Sequence, residues 1–250
     1  LLIVLGAIGF PVLIEVKTFL LRKMPSFRFS LFTKITTTTY GLLFIVGTLG
    51  ILIVEAFHSF KGMRWHEALF SAMYHSVSTR SAGLTTYDVT TFSEASSIFM
   101  SVLMFIGASP SSVGGGIRTT TFAIAILFLI SFANGREEVQ IFGRGIHLTD
   151  VFRSFVIICV ALFMVLIATM ILHITEPHAT TTQIIFEITS AFGTCGMSLG
   201  ITSDLSITGK IVIMVLMFIG RVGLISFLYT LGGKSKKLPY RYPKERLIIG

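Results

Sequence analysis

Apolar residues run almost unbroken over residues 35–57, 151–174 and 207–231, and each run matches the roughly 20 residues of helix that cross a bilayer. Hydrocarbon offers the backbone no hydrogen-bond partner, so such runs have to form spanning helices. A further apolar region, residues 97–133, is interrupted by Gly107-Ala-Ser-Pro-Ser-Ser-Val-Gly-Gly-Gly116. That segment neither propagates a helix nor leaves its backbone satisfied in lipid, which predicts a broken helix whose break is buried in protein or water. Residues 66–78 and 180–192 are mixed in polarity and too short to cross at 1.5 Å per residue. They read as re-entrant half-helices, each ending in a glycine loop: Ser78-Thr-Arg-Ser-Ala-Gly-Leu84 and Phe192-Gly-Thr-Cys-Gly-Met197. Residues 1–21 are apolar too and end at Arg22 and Lys23 without a basic leader region or a small-residue cleavage site. They read as a membrane helix that enters from a missing upstream part. The composition agrees, since only 13% of residues are charged, against about 25% in a soluble domain.

The unit is written twice. Leu-Met-Phe-Ile-Gly occurs at 103–107 and again 113 residues later at 216–220, and the loop glycines Gly83 and Gly196 keep the same offset. Ala7-Ile8-Gly9 is a weaker third echo. A unit of helix, half-helix, glycine loop and helix crosses the membrane an even number of times, so its copies lie parallel. This favours a pore surrounded by equivalent loops. The expected fold is therefore an all-α integral membrane protein of repeated helix, pore-helix, helix units with re-entrant filter loops, like a potassium channel. Two full units and the last helix of a third are present.

The unit boundaries come from the same pattern. Residues 1–22 form the last helix of a preceding unit and 23–34 a cytoplasmic linker. Residues 35–134 form the next unit, with a pore helix at 66–78, a filter at 79–84 and the broken helix at 97–133. A second linker covers 135–150; the last unit covers 151–231, with a pore helix at 180–192 and a filter at 193–197. A basic cytoplasmic tail, 232–250, includes Lys234, Lys236 and Lys237.

The net charge of +8 could suggest nucleic acid, but position explains it better. If the unit termini are cytoplasmic, that side carries most of the 20 Lys and Arg, and the opposite side only Lys61, Arg64 and Lys210. Arg80, Arg118 and Arg221 fall at membrane depth. The positive-inside rule thus puts both glycine loops outside and the C-terminus in the cytoplasm. Cys159 and Cys195 match neither a disulfide framework nor a metal-ligand spacing. Glu55 and Glu176, with His58, His66, His173 and His178, read as interfacial groups.

A dehydrated cation needs oxygens in place of water, and backbone carbonyls provide them without fixed charge. Glycine reaches the backbone angles that turn successive carbonyls to one axis, and a half-helix aims its negative end there. On Arg80-Ser-Ala-Gly-Leu84, Gly193-Thr-Cys-Gly-Met197, the Gly107–Gly116 break followed by Ile-Arg118, and Arg241-Tyr-Pro, the chain resembles the Trk/Ktr/HKT potassium transporter superfamily, most of all the bacterial Ktr membrane subunit.

The resemblance implies K⁺ uptake through a gated pore in a bacterial plasma membrane, with Na⁺ as a possible activator and no cofactor. The carbonyls of Ser81, Ala82, Gly83, Thr194, Cys195 and Gly196 would line the filter. Cys195 is a departure, for related filters more often carry an apolar branched residue there. Gly107, Ala108, Ser109, Pro110, Ser111, Ser112, Val113, Gly114, Gly115 and Gly116 would form the gating loop, with Arg221 as its associated charge. Arg80 would support the filter by pairing with a carboxylate such as Glu187 or by bonding carbonyls. The implied partners are a homodimer mate, the lipid bilayer and a cytoplasmic ring of nucleotide-binding RCK subunits, with no nucleic acid. A sodium or less selective cation transporter is the alternative. An intramembrane enzyme lacks both a G-x-S-x-G elbow and an H-E-x-x-H motif.

Overall fold

The computed structural model describes residues 2–22, 28–136, 138–224, 226 and 227. Lys23 and the basic tail, with its Arg241-Tyr-Pro, lie outside the described residues. The chain is mostly helical. Its helices are α1 (Leu2–Ala7), α2 (Phe10–Arg22), α3 (Leu31–Glu55), α4 (Trp65–Ser78), α5 (Glu94–Ile106), α6 (Thr119–Ala133), α7 (Leu148–Thr175), α8 (Thr181–Phe192) and α9 (Ile207–Val222). Among the described residues, only α3 and α7, at 25 and 28 residues, are by themselves long and apolar enough to cross a membrane.

Short polar side chains set the starts. Ser30, Ser93 and Ser206 each accept from a backbone N–H in the first turn of α3, α5 and α9, and Thr180 forms a reciprocal capping box with Gln183 at α8. Glycine and proline set the interruptions. Gly107 takes φ +53° at the end of α5, and Pro110 cannot restart it; helix returns only at Thr119.

The two stretches do not pack in the same way. In the first, α4 and α5 lie against α3, and in the second, α8 packs between α7 and α9; α5 against α8 joins the two. Close approach at α3 and α4 depends on Gly47, whose absent side chain leaves room for Ser76 to donate to Phe44 O at 3.0 Å. One core contains Ile51, Met100, Met104 and Phe186, and another Leu172, Ile184, Ile188 and Leu216.

Three expectations need correction. The single helix over residues 1–22 is two helices, because Gly9 stands at φ +96° between them. The helix expected over 207–231 is interrupted after Val222, where Gly223 takes φ +91°, and helix is present again at Leu224; residues 228–231 lie outside the described residues. Nor is the chain purely helical: Gln140–Ile141 and Arg144–Gly145 form a small antiparallel hairpin, β1 and β2, within the expected linker. Its turn residues Phe142 and Gly143 both have positive φ, the geometry of a tight hairpin turn.

Candidate functional site: two glycine loops above a third

The short helices α4 and α8 each run into a loop in which amide hydrogens point back at the helix just left. Ala82 N and Gly83 N both donate to Ser78 O, at 3.1 and 3.2 Å. In the second loop Thr194 N donates to Ala191 O at 3.0 Å, Cys195 N to Ser190 O at 2.8 Å, and Gly196 N to Ser190 Oγ at 3.1 Å. The carbonyls are treated differently. Among the described residues, the oxygens of Ser81, Ala82, Gly83, Cys195 and Gly196 accept no hydrogen bond, and that of Thr194 accepts one, from Ser81 Oγ at 3.3 Å.

Backbone sign alternates through both loops. Ser81 (φ +97°) and Gly83 (φ +66°) flank Ala82, and Thr194 (φ +51°) and Gly196 (φ +93°) flank Cys195. The 113-residue offset relates both pairs. The loops also touch, for a Cβ on Gly83 would collide with the Cys195 carbonyl oxygen. A Cβ on Gly196 would meet nothing within 4 Å. Behind the loop, the Cys195 thiol is buried with Ile51, Met100 and Met197 and donates to Ser78 O at 3.3 Å.

The loop over residues 107–116 lies against both of these. A Cβ on Gly114 would come within 2.9 Å of Ser81 Cβ, and one on Gly115 within 2.7 Å of Thr194 Oγ1 and 2.9 Å of Gly220 O. Guanidinium groups hold its carbonyls. Arg118 donates to Ser109 O and Gly114 O, Arg221 to Val113 O, and the buried Arg80 to Gly107 O at 3.4 Å. Thr119 Oγ1 reaches Ser109 Oγ at 3.1 Å.

Arg80 therefore bonds a carbonyl, and the pairing with Glu187 does not form. The Glu187 carboxylate instead accepts from Ser198 Oγ at 2.8 Å and Thr202 Oγ1 at 2.5 Å, fastening the chain that leaves the second loop. Two more carboxylates do work that sequence reading overlooked. Glu55, fully buried, accepts from the N–H and hydroxyl of Ser93 at 2.8 and 2.7 Å and from Ser59 N at 3.1 Å. Glu176 accepts from Ser206 N and Oγ at 2.9 and 2.5 Å. Each joins the end of a long helix to the cap of α5 or α9, so they are not merely interfacial. The signal was present: Ser93 and Ser206 are themselves 113 residues apart, as are Ser81 and Thr194.

With this geometry in view, comparison with known proteins is decisive. Residues 1–237 match the TrkH family, described as cation transport proteins. The chain belongs to that family. This TrkH-family chain is 54% identical over its full length to the Ktr system potassium uptake protein D of Bacillus subtilis, covering 56% of that protein. It is 34% identical to the potassium/sodium uptake protein NtpJ of Enterococcus hirae, again over the full chain and 56% of the relative. The chain thus spans about half the length of the curated relatives it matches. Its fold is similar to that of the potassium transporter TrkH from Vibrio parahaemolyticus, with a TM-score of 0.67 at 17% identity over 90% of this chain and 49% of the other.

Proposed function

We propose that this chain contributes two of the filter loops of a K⁺-selective pore and serves potassium uptake as the membrane subunit of a Ktr-type system. One observation carries the reading: two loops related by the 113-residue offset turn the amide hydrogens of Ala82, Gly83, Thr194, Cys195 and Gly196 back to the helices they leave, and among the described residues five of the six carbonyls from Ser81 to Gly83 and Thr194 to Gly196 accept no hydrogen bond. A monovalent cation replaces its hydration shell with such oxygens. The C-terminal ends of α4 and α8 add favourable negative potential. Ser81, Ala82, Gly83, Thr194, Cys195 and Gly196 are the ion-binding residues, and residues 107–116 are the gate beneath them.

In this reading α3–α4–α5 and α7–α8–α9 are equivalent pore units, and α1–α2 closes a preceding one. The loops face the outside of a bacterial plasma membrane, with the unit termini and the C-terminus in the cytoplasm. The work is downhill: a charge moving through 100 mV releases about 2.3 kcal/mol, and no catalytic cycle is needed. A homodimer mate and a cytoplasmic nucleotide-binding ring are the partners. The name of one relative, a potassium/sodium uptake protein, supports Na⁺ as a second transported ion, the alternative to strict K⁺ selectivity.

The test is K⁺ and Na⁺ flux into vesicles containing the full-length protein. Gly83→Ser and Gly196→Ser are expected to weaken the preference for K⁺, and an unchanged preference removes the filter assignment. Shortening Gly114–Gly116 is expected to raise flux and free it from regulation, whereas unchanged, still regulated flux removes the gate.

A further inference from the structure

The first apolar run is interrupted between Ala7 and Phe10. A break of this kind strips intrahelical partners from the carbonyls before it and the N–H groups after it, and at membrane depth protein has to replace them. The replacement comes from the loop over residues 107–116. Ser109 N donates to Ala7 O at 3.0 Å, Val113 N donates to Gly6 O at 3.3 Å, and Phe10 N donates to Ser111 O at 3.0 Å. Each bond satisfies a group on both sides, so the break and the loop complete one another.

Small residues make the approach possible. A Cβ on Gly9 would stand 2.6 Å from Pro110 O, and the φ of +96° there disfavours any side chain. Gly6 lies so near the loop that a Cβ on it would be 3.4 Å from Val113 Cγ2. Ala7 and Ala108 share a small buried cluster with Tyr40. The contact is made by main chain, whereas Arg80, Arg118 and Arg221 hold other carbonyls of the same loop through side chains.

We propose that the interruption at Gly6–Phe10 is a docking cradle for the gate: the closed loop is held by these backbone bonds, and it has to leave them for ions to pass. Gly6 and Gly9 are positioning residues for gating. The inference rests on reading residues 107–116 as the gate, and it makes that gate a two-part device. It also gives α2 a way to act on the loop. Between Phe10, whose N–H bonds the loop, and Glu15, whose Oε2 accepts from Ser30 N at 3.0 Å ahead of α3, α2 is continuous helix.

Two measurements on the full-length protein in vesicles test this. In Gly6→Cys/Val113→Cys, mild oxidation is expected to form a disulfide, verified by mass, and to lower K⁺ flux roughly tenfold or more by trapping the docked state, with recovery on reduction. Neither single-cysteine variant should respond. Gly9→Ala is expected to raise unstimulated K⁺ flux several-fold and to narrow the ratio of regulated to unregulated flux. A disulfide that forms without changing flux overturns the cradle, and so does a pair that never cross-links in the closed protein. The Gly114–Gly116 deletion separates the two readings. Raised flux in the deletion with unaltered flux in the cross-linked pair removes the cradle alone; unchanged, regulated flux in the deletion removes the gate and the cradle with it. The cysteine pair places no side chain at a positive φ, so it remains informative if Gly9→Ala fails to fold.

Discussion

Ser81 and Thr194 occupy the left-handed region that glycine usually takes, at φ +97° and +51°. Non-glycine residues held there cost of order 1–3 kcal/mol each, and surrounding structure has to enforce them. Sequence reading gave the turning of the chain to Gly83 and Gly196 alone, because nothing about serine or threonine announces a positive φ. The glycines themselves are not equivalent. A methyl on Gly83 runs into the neighbouring loop, while one on Gly196 meets open space and bears only backbone strain, about 1–2 kcal/mol. Gly83→Ala is therefore expected to lower thermal stability in detergent and K⁺ over Na⁺ preference more than Gly196→Ala does. At Ser81, removing the hydroxyl loses a bond worth about 0.5–1.5 kcal/mol, but glycine would also relieve the backbone. Ser81→Ala should then melt at a lower temperature than Ser81→Gly.

Elements were legible where composition forces them. Short helices form at Trp65–Ser78 and Thr181–Phe192, where half-helices were predicted at 66–78 and 180–192. The broken helix was legible as well, from a proline and a glycine run. What local sequence hid is that the two Leu-Met-Phe-Ile-Gly segments end differently. Gly107 stops α5, whereas Gly220 continues in α9, pressed against the Phe192 carbonyl, and the helix stops three residues later at Gly223. The residues downstream make the difference: Pro110 in one copy and Arg221-Val-Gly in the other. Carboxylates joining helix ends to caps were hidden too, since partners 38 and 30 residues away do not show in a hydropathy pattern. Glu55→Gln is expected to destabilise by about 1–3 kcal/mol, as a buried acceptor for charge-assisted bonds is weakened, and Glu176→Gln by less, with denaturant melts as the measure. The Ser206 side-chain and backbone bonds hold the Glu176 carboxyl below its ordinary value of 4.5. That contribution is complete above the ordinary value and is lost as pH falls through the depressed folded value. Acid melts of the parent should show the loss, and those of Glu176→Gln should lack it.

At the scale of the molecule, the repeat predicted that corresponding parts exist, and the fold adds where they meet. Gly83 against Cys195, Gly114 against Ser81 and Gly115 against Thr194 join residues far apart in sequence, which no periodicity reveals. The same holds for the seam between the first helix and the loop. The proposed orientation rests on Lys and Arg alone and can be checked. Cysteine at Lys61, in the loop between α3 and α4, should react with an impermeant thiol reagent from outside. Cysteine at Gly143, in the hairpin turn, should react only from the cytoplasmic side; reversed labelling would invert the topology.

The direction of the loop amides carries one more consequence. With the hydrogens of Ala82, Gly83, Thr194, Cys195 and Gly196 turned toward acceptors on α4 and α8, deuterium in the lumen of the proposed pore would meet carbonyl oxygens before these N–H groups. These few amides should keep their protons about as long as the helix interiors do, as hydrogen–deuterium exchange would measure.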